Sequence, residues 1–78
     1  METKDLKYYL NLEYQITISK IPANEGGGYS ACIEQLGKYA FIGDGETIEE
    51  ALEDLKEVKE ILFTEYLKKG IIIPEPDH

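Results

Sequence analysis

Residues 43–57 read GDGETIEEALEDLKE, and this stretch decides the fold. Thr47 followed three residues later by Glu50 spells a capping box, whose hydroxyl and carboxylate satisfy free N–H groups in the first helical turn. From there Ile48, Ala51, Leu52, Leu55, Val58, Leu62 and Tyr66 recur at helical spacing on one apolar stripe. Lys68 and Lys69 fall in the last turn, where cations suit the negative end of the helix dipole. Gly70 takes the place of the left-handed residue that ends a helix, and Pro74 and Pro76 prevent a restart. The spacing predicts one long helix capped by Thr47 and Gly70. Lys59 projects into the apolar stripe. Its stem is expected to pack on the rim of a sheet with the ammonium in water, in preference to a buried ion pair that is costly to desolvate.

Upstream the period changes from helical to alternating. YQITISKI places Tyr14, Ile16 and Ile18 on one face and Gln15, Thr17 and Ser19 on the other, the pattern of a half-buried strand. PANEGGG then marks a hairpin connection. GYSACIEQL carries Tyr29, Ala31 and Ile33 on one face of a second strand, LGK is a turn, and KYAFIG is a short third strand. Short connections imply an antiparallel meander. LKYYLNLEY, at the start, fits either a helical turn or an extended lead-in. Ile71 to Ile73 can add a short edge strand after the helix. The expected class is α+β: a three-stranded antiparallel sheet, one long helix across one face and a short C-terminal edge strand, in the order β-β-β-α-β, as a single domain over 1–78. The other face, with Gln15, Thr17, Ser19, Ser30, Cys32, Ala40 and Ile42, is only partly polar. It is either a self-association surface or an ordinary open face with scattered apolar residues.

A chain of 78 residues buries a modest core, and domains of this size often lean on disulfides, metal or self-association. Cys32 is the sole cysteine, and with His78 it makes too few soft ligands for a tetrahedral zinc site. Self-association, as a homo-oligomer, is the remaining staple. No signal peptide or membrane-length apolar run is apparent, and a cytoplasmic location is expected. The net charge of −8 argues against direct contact with nucleic acid and favours a basic protein partner or plain solubility.

Seven acids fall within residues 43–57, against the single base Lys56. Glu49, Glu50, Glu53, Glu57 and Glu60 gather opposite the apolar stripe, and like-charge neighbours along a helix repel by roughly 0.2–0.5 kcal/mol per pair. A basic partner would relieve that repulsion; so would water and counterions. Asp44, Glu46 and Glu50 could hold Mg²⁺, although acids are also ordinary at a helix start. EGGGY precedes a strand and has no lysine placed for phosphate, so it reads as a turn. Cys32, Ser19 and Ser30 lack a placed base. No enzymatic activity and no cofactor are expected.

Four stretches together resemble the HicB-like antitoxins of bacterial and archaeal toxin–antitoxin systems. YYLNLEY is similar to that family's opening, EGGGYSA to its glycine hairpin, GDGETIEEALEDLKE to its glycine–aspartate–threonine segment with the following helix, and GIIIPEP to its closing tail. They span nearly the whole chain in the family's order. Two features depart from the pattern: LGKY stands where members often carry proline–glycine–cysteine, and Gly45 and Glu46 lengthen the aspartate–threonine step. The resemblance implies a partial ribonuclease-H-like fold without catalytic acids. It also implies binding to a small basic HicA-like toxin, of a double-stranded-RNA-binding-like fold, that cleaves RNA with a histidine. The acidic helix face, Glu49, Glu50, Glu53, Glu57 and Glu60, would then stand in for RNA phosphate. The C-terminal DNA-binding domain of many members is not expected here, nor autoregulation through it. The alternatives are an orphan oligomerisation module without a toxin and a weak metal-dependent nuclease remnant using Asp44, Glu46 and Glu50.

Overall fold

In a computed structural model that describes residues 4–76, the long helix, α2, runs Ile48–Lys69. Both of its ends follow from the sequence. Thr47 Oγ1 accepts the Glu50 N–H at 3.1 Å, and Gly70 closes the helix with a φ of 70°. That left-handed geometry lets the Gly70 and Ile71 N–H groups return to Leu67 and Tyr66 carbonyls.

The rest is an α+β arrangement. A short helix α1 (Leu6–Leu10), capped by Asp5, precedes three antiparallel strands in spatial order β1 (Thr17–Lys20), β2 (Tyr29–Cys32) and β3 (Ile42–Gly45). A 3-10 turn at Ala23–Glu25, continued by left-handed glycines 26 to 28, joins the first pair. A second, at Glu34–Leu36, joins the others. The lead-in LKYYLNLEY, open in the sequence, is thus helical in its first half.

Four boundaries differ from expectation. The second strand, expected over GYSACIEQL, ends at Cys32, because Glu34–Leu36 turn as a 3-10 helix. The third strand is not KYAFIG: residues 38–40 form a turn, and the strand moves on into GDG. Gly43, the last residue of the expected strand, and Gly45, which looks like a loop residue in sequence, both lie in β3. They are strand residues chosen for size, because a Cβ on Gly43 would run into the backbone N of Leu55 and come within 2.8 Å of the Ala51 carbonyl oxygen. A Cβ on Gly45 would lie 2.5 Å from the Ala51 N. The first strand covers only the TISK of YQITISKI. The expected C-terminal edge strand is absent among the described residues. Ile73 instead turns into the core, the Tyr14 hydroxyl donates to the Pro74 carbonyl at 2.6 Å, and the Gln35 amide donates to the Glu75 carbonyl at 2.6 Å. Two prolines without N–H groups make this tail a poor ladder strand in any case.

Helix α2 lies over β3 and β2. The buried core is Tyr14, Ala31, Ile33, Phe41, Ala51, Leu55, Phe63 and Ile73. Its centre is a set of tilted rings: Phe63 meets Phe41, Tyr14 and Tyr9 at centroid distances of 5.4, 6.1 and 6.0 Å. Phe63 is absent from the stripe inferred by spacing, because α1 covers the later half of α2 and moves the buried side around the helix. The early stripe is correspondingly less covered, leaving Ile48 and Leu52 partly exposed.

Burial pushes the Tyr14 phenol up to about 12, from an ordinary value of 10.0, with nearby Glu75 adding to the shift. The raised value means the folded protein keeps its proton where the unfolded chain has lost it. Tyr14 therefore contributes fully below pH 10, and its contribution declines as the pH rises toward 12. An absorbance titration of the tyrosines is expected to show one late phenol that disappears in Tyr14→Phe. That variant also loses the bond to Pro74, at a stability cost of about 1 kcal/mol.

Candidate functional site

The acids are organised by the seam between β3 and α2. In an antiparallel ladder alternate residues face the neighbouring strand. Gly43 and Gly45 are paired with Ala31 and Tyr29 of β2, so the N–H groups of Asp44 and Glu46 face outward from the sheet edge. Two helix carboxylates meet them. Asp54 Oδ2 accepts from the Asp44 N–H at 2.9 Å, and Glu50 Oε2 accepts from the Glu46 N–H at 3.3 Å. Glu50 thus serves the capping region twice, through its own N–H and through its side chain. A bare edge is a template for unwanted pairing, and these acids cover it.

Five acids line one open trough along this seam: Asp44, Glu50, Glu53, Asp54 and Glu57. The expected partner-binding set is therefore only partly together. Glu50, Glu53 and Glu57 share the trough. Glu60 lies in the adjoining groove with Glu57, Glu65 and the exposed Ile61. Glu49 sits apart, near Tyr29, Glu46 and Ile48 at the helix start. Asp44, weighed in the sequence only as a Mg²⁺ ligand, and Asp54 were not in the expected partner-binding set. Asp54 is four residues from Glu50 on the wheel, which is the signal that pairs them, but the strand they serve had been placed elsewhere.

The opposite flank of α2 has the opposite charge. Lys56 and Lys59 line a groove with Leu10, Ile16, Leu52 and Leu55. Neither lysine has an ion-pair partner among the described residues. Burial, then the Lys56 charge, holds the Lys59 ammonium below its ordinary value of 10.5. This matches a stem packed at the rim rather than a buried salt bridge.

Among the described residues no three His, Cys, Asp or Glu side chains are placed to share a metal ion. Of the suggested Mg²⁺ set, Glu50 is spent on the Glu46 N–H. Cys32 is half-buried on β2, and His78 lies outside the described residues. At the far pole the Lys4 ammonium and the Tyr8 hydroxyl both donate to the Glu75 carboxylate, at 2.8 and 2.9 Å. The Lys4 bond, then the Tyr8 bond, holds Glu75 below the usual carboxylate value. No described helix is long and apolar enough to cross a membrane. No family model, no curated protein and no solved structure matches the chain.

Proposed function

We propose that this protein is a binding module of the HicB-like antitoxin kind, with the partial ribonuclease-H-like classification that this kind implies. It would act in the cytoplasm by covering the RNA-binding surface of a small basic toxin ribonuclease. The observation that carries the reading is the acidic trough of Asp44, Glu50, Glu53, Asp54 and Glu57 on the β3–α2 seam. A row of carboxylates on a firmly packed helix offers a cationic surface what a phosphate backbone offers it. The four family-like sequence stretches supply the partner's class, and the overall charge of −8 agrees with a cationic companion. The protein itself needs no catalytic group for this role. Glu53 and Glu57 are the residues best suited to meet a partner, since Glu50 and Asp54 are engaged with the β3 edge.

The test uses the purified product of a short, strongly basic neighbouring reading frame. Association should be fast at low salt and slow as salt rises. Glu53→Lys/Glu57→Lys should lower the association rate at low salt by about tenfold or more and flatten its salt dependence. An unchanged rate and slope would remove the trough from the interface and with it the reading.

A further inference from the structure

The two edges of the sheet are treated differently, and the difference points to a second binding surface. Along the β3 edge the outward N–H of Asp44, and that of Glu46 just past the strand, are occupied by Asp54 and Glu50. At β1 no described residue occupies the outward N–H groups. Thr17 and Ser19 pair toward Cys32 and Ser30, and the Ile21 N–H continues the ladder to Gly28. By alternation the backbone groups of Ile18 and Lys20 face away from β2, and no described residue meets their N–H groups. Beside this edge α2 gives no full cover: Ile16 and Ile18 remain 37% and 39% exposed, next to the partly exposed Leu52.

We infer that β1 is a self-association edge, at which two copies pair β1 to β1 antiparallel about a two-fold axis at Ile18. A single continuous sheet then runs through both copies. The surface is self-complementary in that register. Ile18 faces its own counterpart, each giving and taking one backbone hydrogen bond, and Lys20 faces residue 16 of the other copy rather than the other Lys20. The side chains of Ile16 and Ile18 share the α2 face of the sheet, so each copy sets apolar surface against the other's.

Charge selects the same occupant. Each copy carries −8, so most approaches between copies are repulsive. Residues 14–24, YQITISKIPAN, contain no acid, and β1 is therefore a strip on which two copies can meet. Head-to-tail addition of β1 to β3 is opposed by the carboxylates that already hold the Asp44 and Glu46 N–H groups. The β1–β1 contact is thus a closed, two-fold one. It does not depend on the antitoxin reading, and its salt response is of the opposite sign. Lys56 and Lys59 line the groove, and both copies are acidic, so added salt screens repulsion and tightens the pair.

Sedimentation of the full chain over a range of concentration and salt tests this. The wild type should show the two-copy mass, shifting further toward it as salt rises. Ile18→Pro removes an outward N–H without breaking the β1–β2 ladder, and Ile18→Lys sets like charges together at the axis. Both, confirmed folded by circular dichroism, should sediment as single copies. Glu53→Lys/Glu57→Lys should remain paired, so loss of partner binding and loss of pairing are separate results. Should either Ile18 variant unfold, amide exchange in the wild type decides. The Ile18 and Lys20 amides should become protected as concentration rises and exchange freely on dilution. A wild type of single-copy mass throughout, a pair that survives folded Ile18→Pro, or free exchange of both amides in the pair overturns the inference.

Discussion

Gly43→Ala is expected to unfold much of the population. The added methyl cannot be accommodated by a side-chain rotation, because what it meets is backbone: the Leu55 N, the Ala51 carbonyl oxygen and the Leu55 Cα, the last two at 2.8 Å. Helix α2 would have to lift from β3, and with it Ala51 and Leu55 would leave the core. Overpacking ordinarily costs about 1–3 kcal/mol, and a clash with helix backbone belongs at the upper end or beyond. For a domain of this size each kcal/mol moves Tm by roughly 4–8 °C, so a fall of about 15 °C or more is expected in a thermal melt. Gly26→Ala is the contrast. Gly26 has a φ of 112° but open space where a Cβ would sit, so its substitution should cost only the backbone penalty of about 1–2 kcal/mol. Equal melting temperatures for the two variants would show that the close approach of α2 to β3 is not what holds this seam.

Phe63→Ala should be the most damaging side-chain truncation on α2. Phe63 is fully buried, and its ring is shared by three segments that precede α2 in the chain: Tyr9 of α1, Tyr14 before β1 and Phe41 before β3. Removing it strips the ring contacts and leaves a cavity that none of those rigid aromatics can close. Truncations of this kind cost about 3–5 kcal/mol, a large part of the 5–15 kcal/mol available to a small domain. Urea titration is the suitable measurement, with Ile61→Ala as the comparison. Ile61 is on the same helix but well exposed, and its loss should change stability by no more than about 0.5 kcal/mol. A Phe63→Ala midpoint close to that of Ile61→Ala would mean the ring cluster contributes little.

Local chemistry was the legible part of this fold. Thr47 and Gly70 bound α2 because a cap depends on its own few residues. The antiparallel meander was legible as well, because short connections leave few other paths. What the sequence did not reveal depended on neighbours far along the chain. Gly45 carries turn chemistry in isolation, and Gly43 was only the tail of the expected strand; that both are glycine follows from the backbone of α2 lying against them. Phe63 fell off the inferred stripe because α1, itself undecided, shifts the buried side of the later helix. The candidate site was legible as a charge pattern but not as a geometry. Glu50 could be seen as a helix-start acid; that its carboxylate, with that of Asp54, is spent on the β3 edge could not. Glu49 and Glu60 were grouped with the trough by the wheel alone, which cannot register where the strand runs beneath it.

The carboxylates of Asp54 and Glu50 also set how far any assembly of this domain can go. Polymerisation requires a unit with two reactive ends. Here the Asp44 and Glu46 N–H groups at one end already hold the molecule's own carboxylates, so a strand added at the other end leaves this one poorly suited to further growth. In the vocabulary of polymer chemistry the domain is a chain terminator, protected against fibre formation by the same residues that make it acidic.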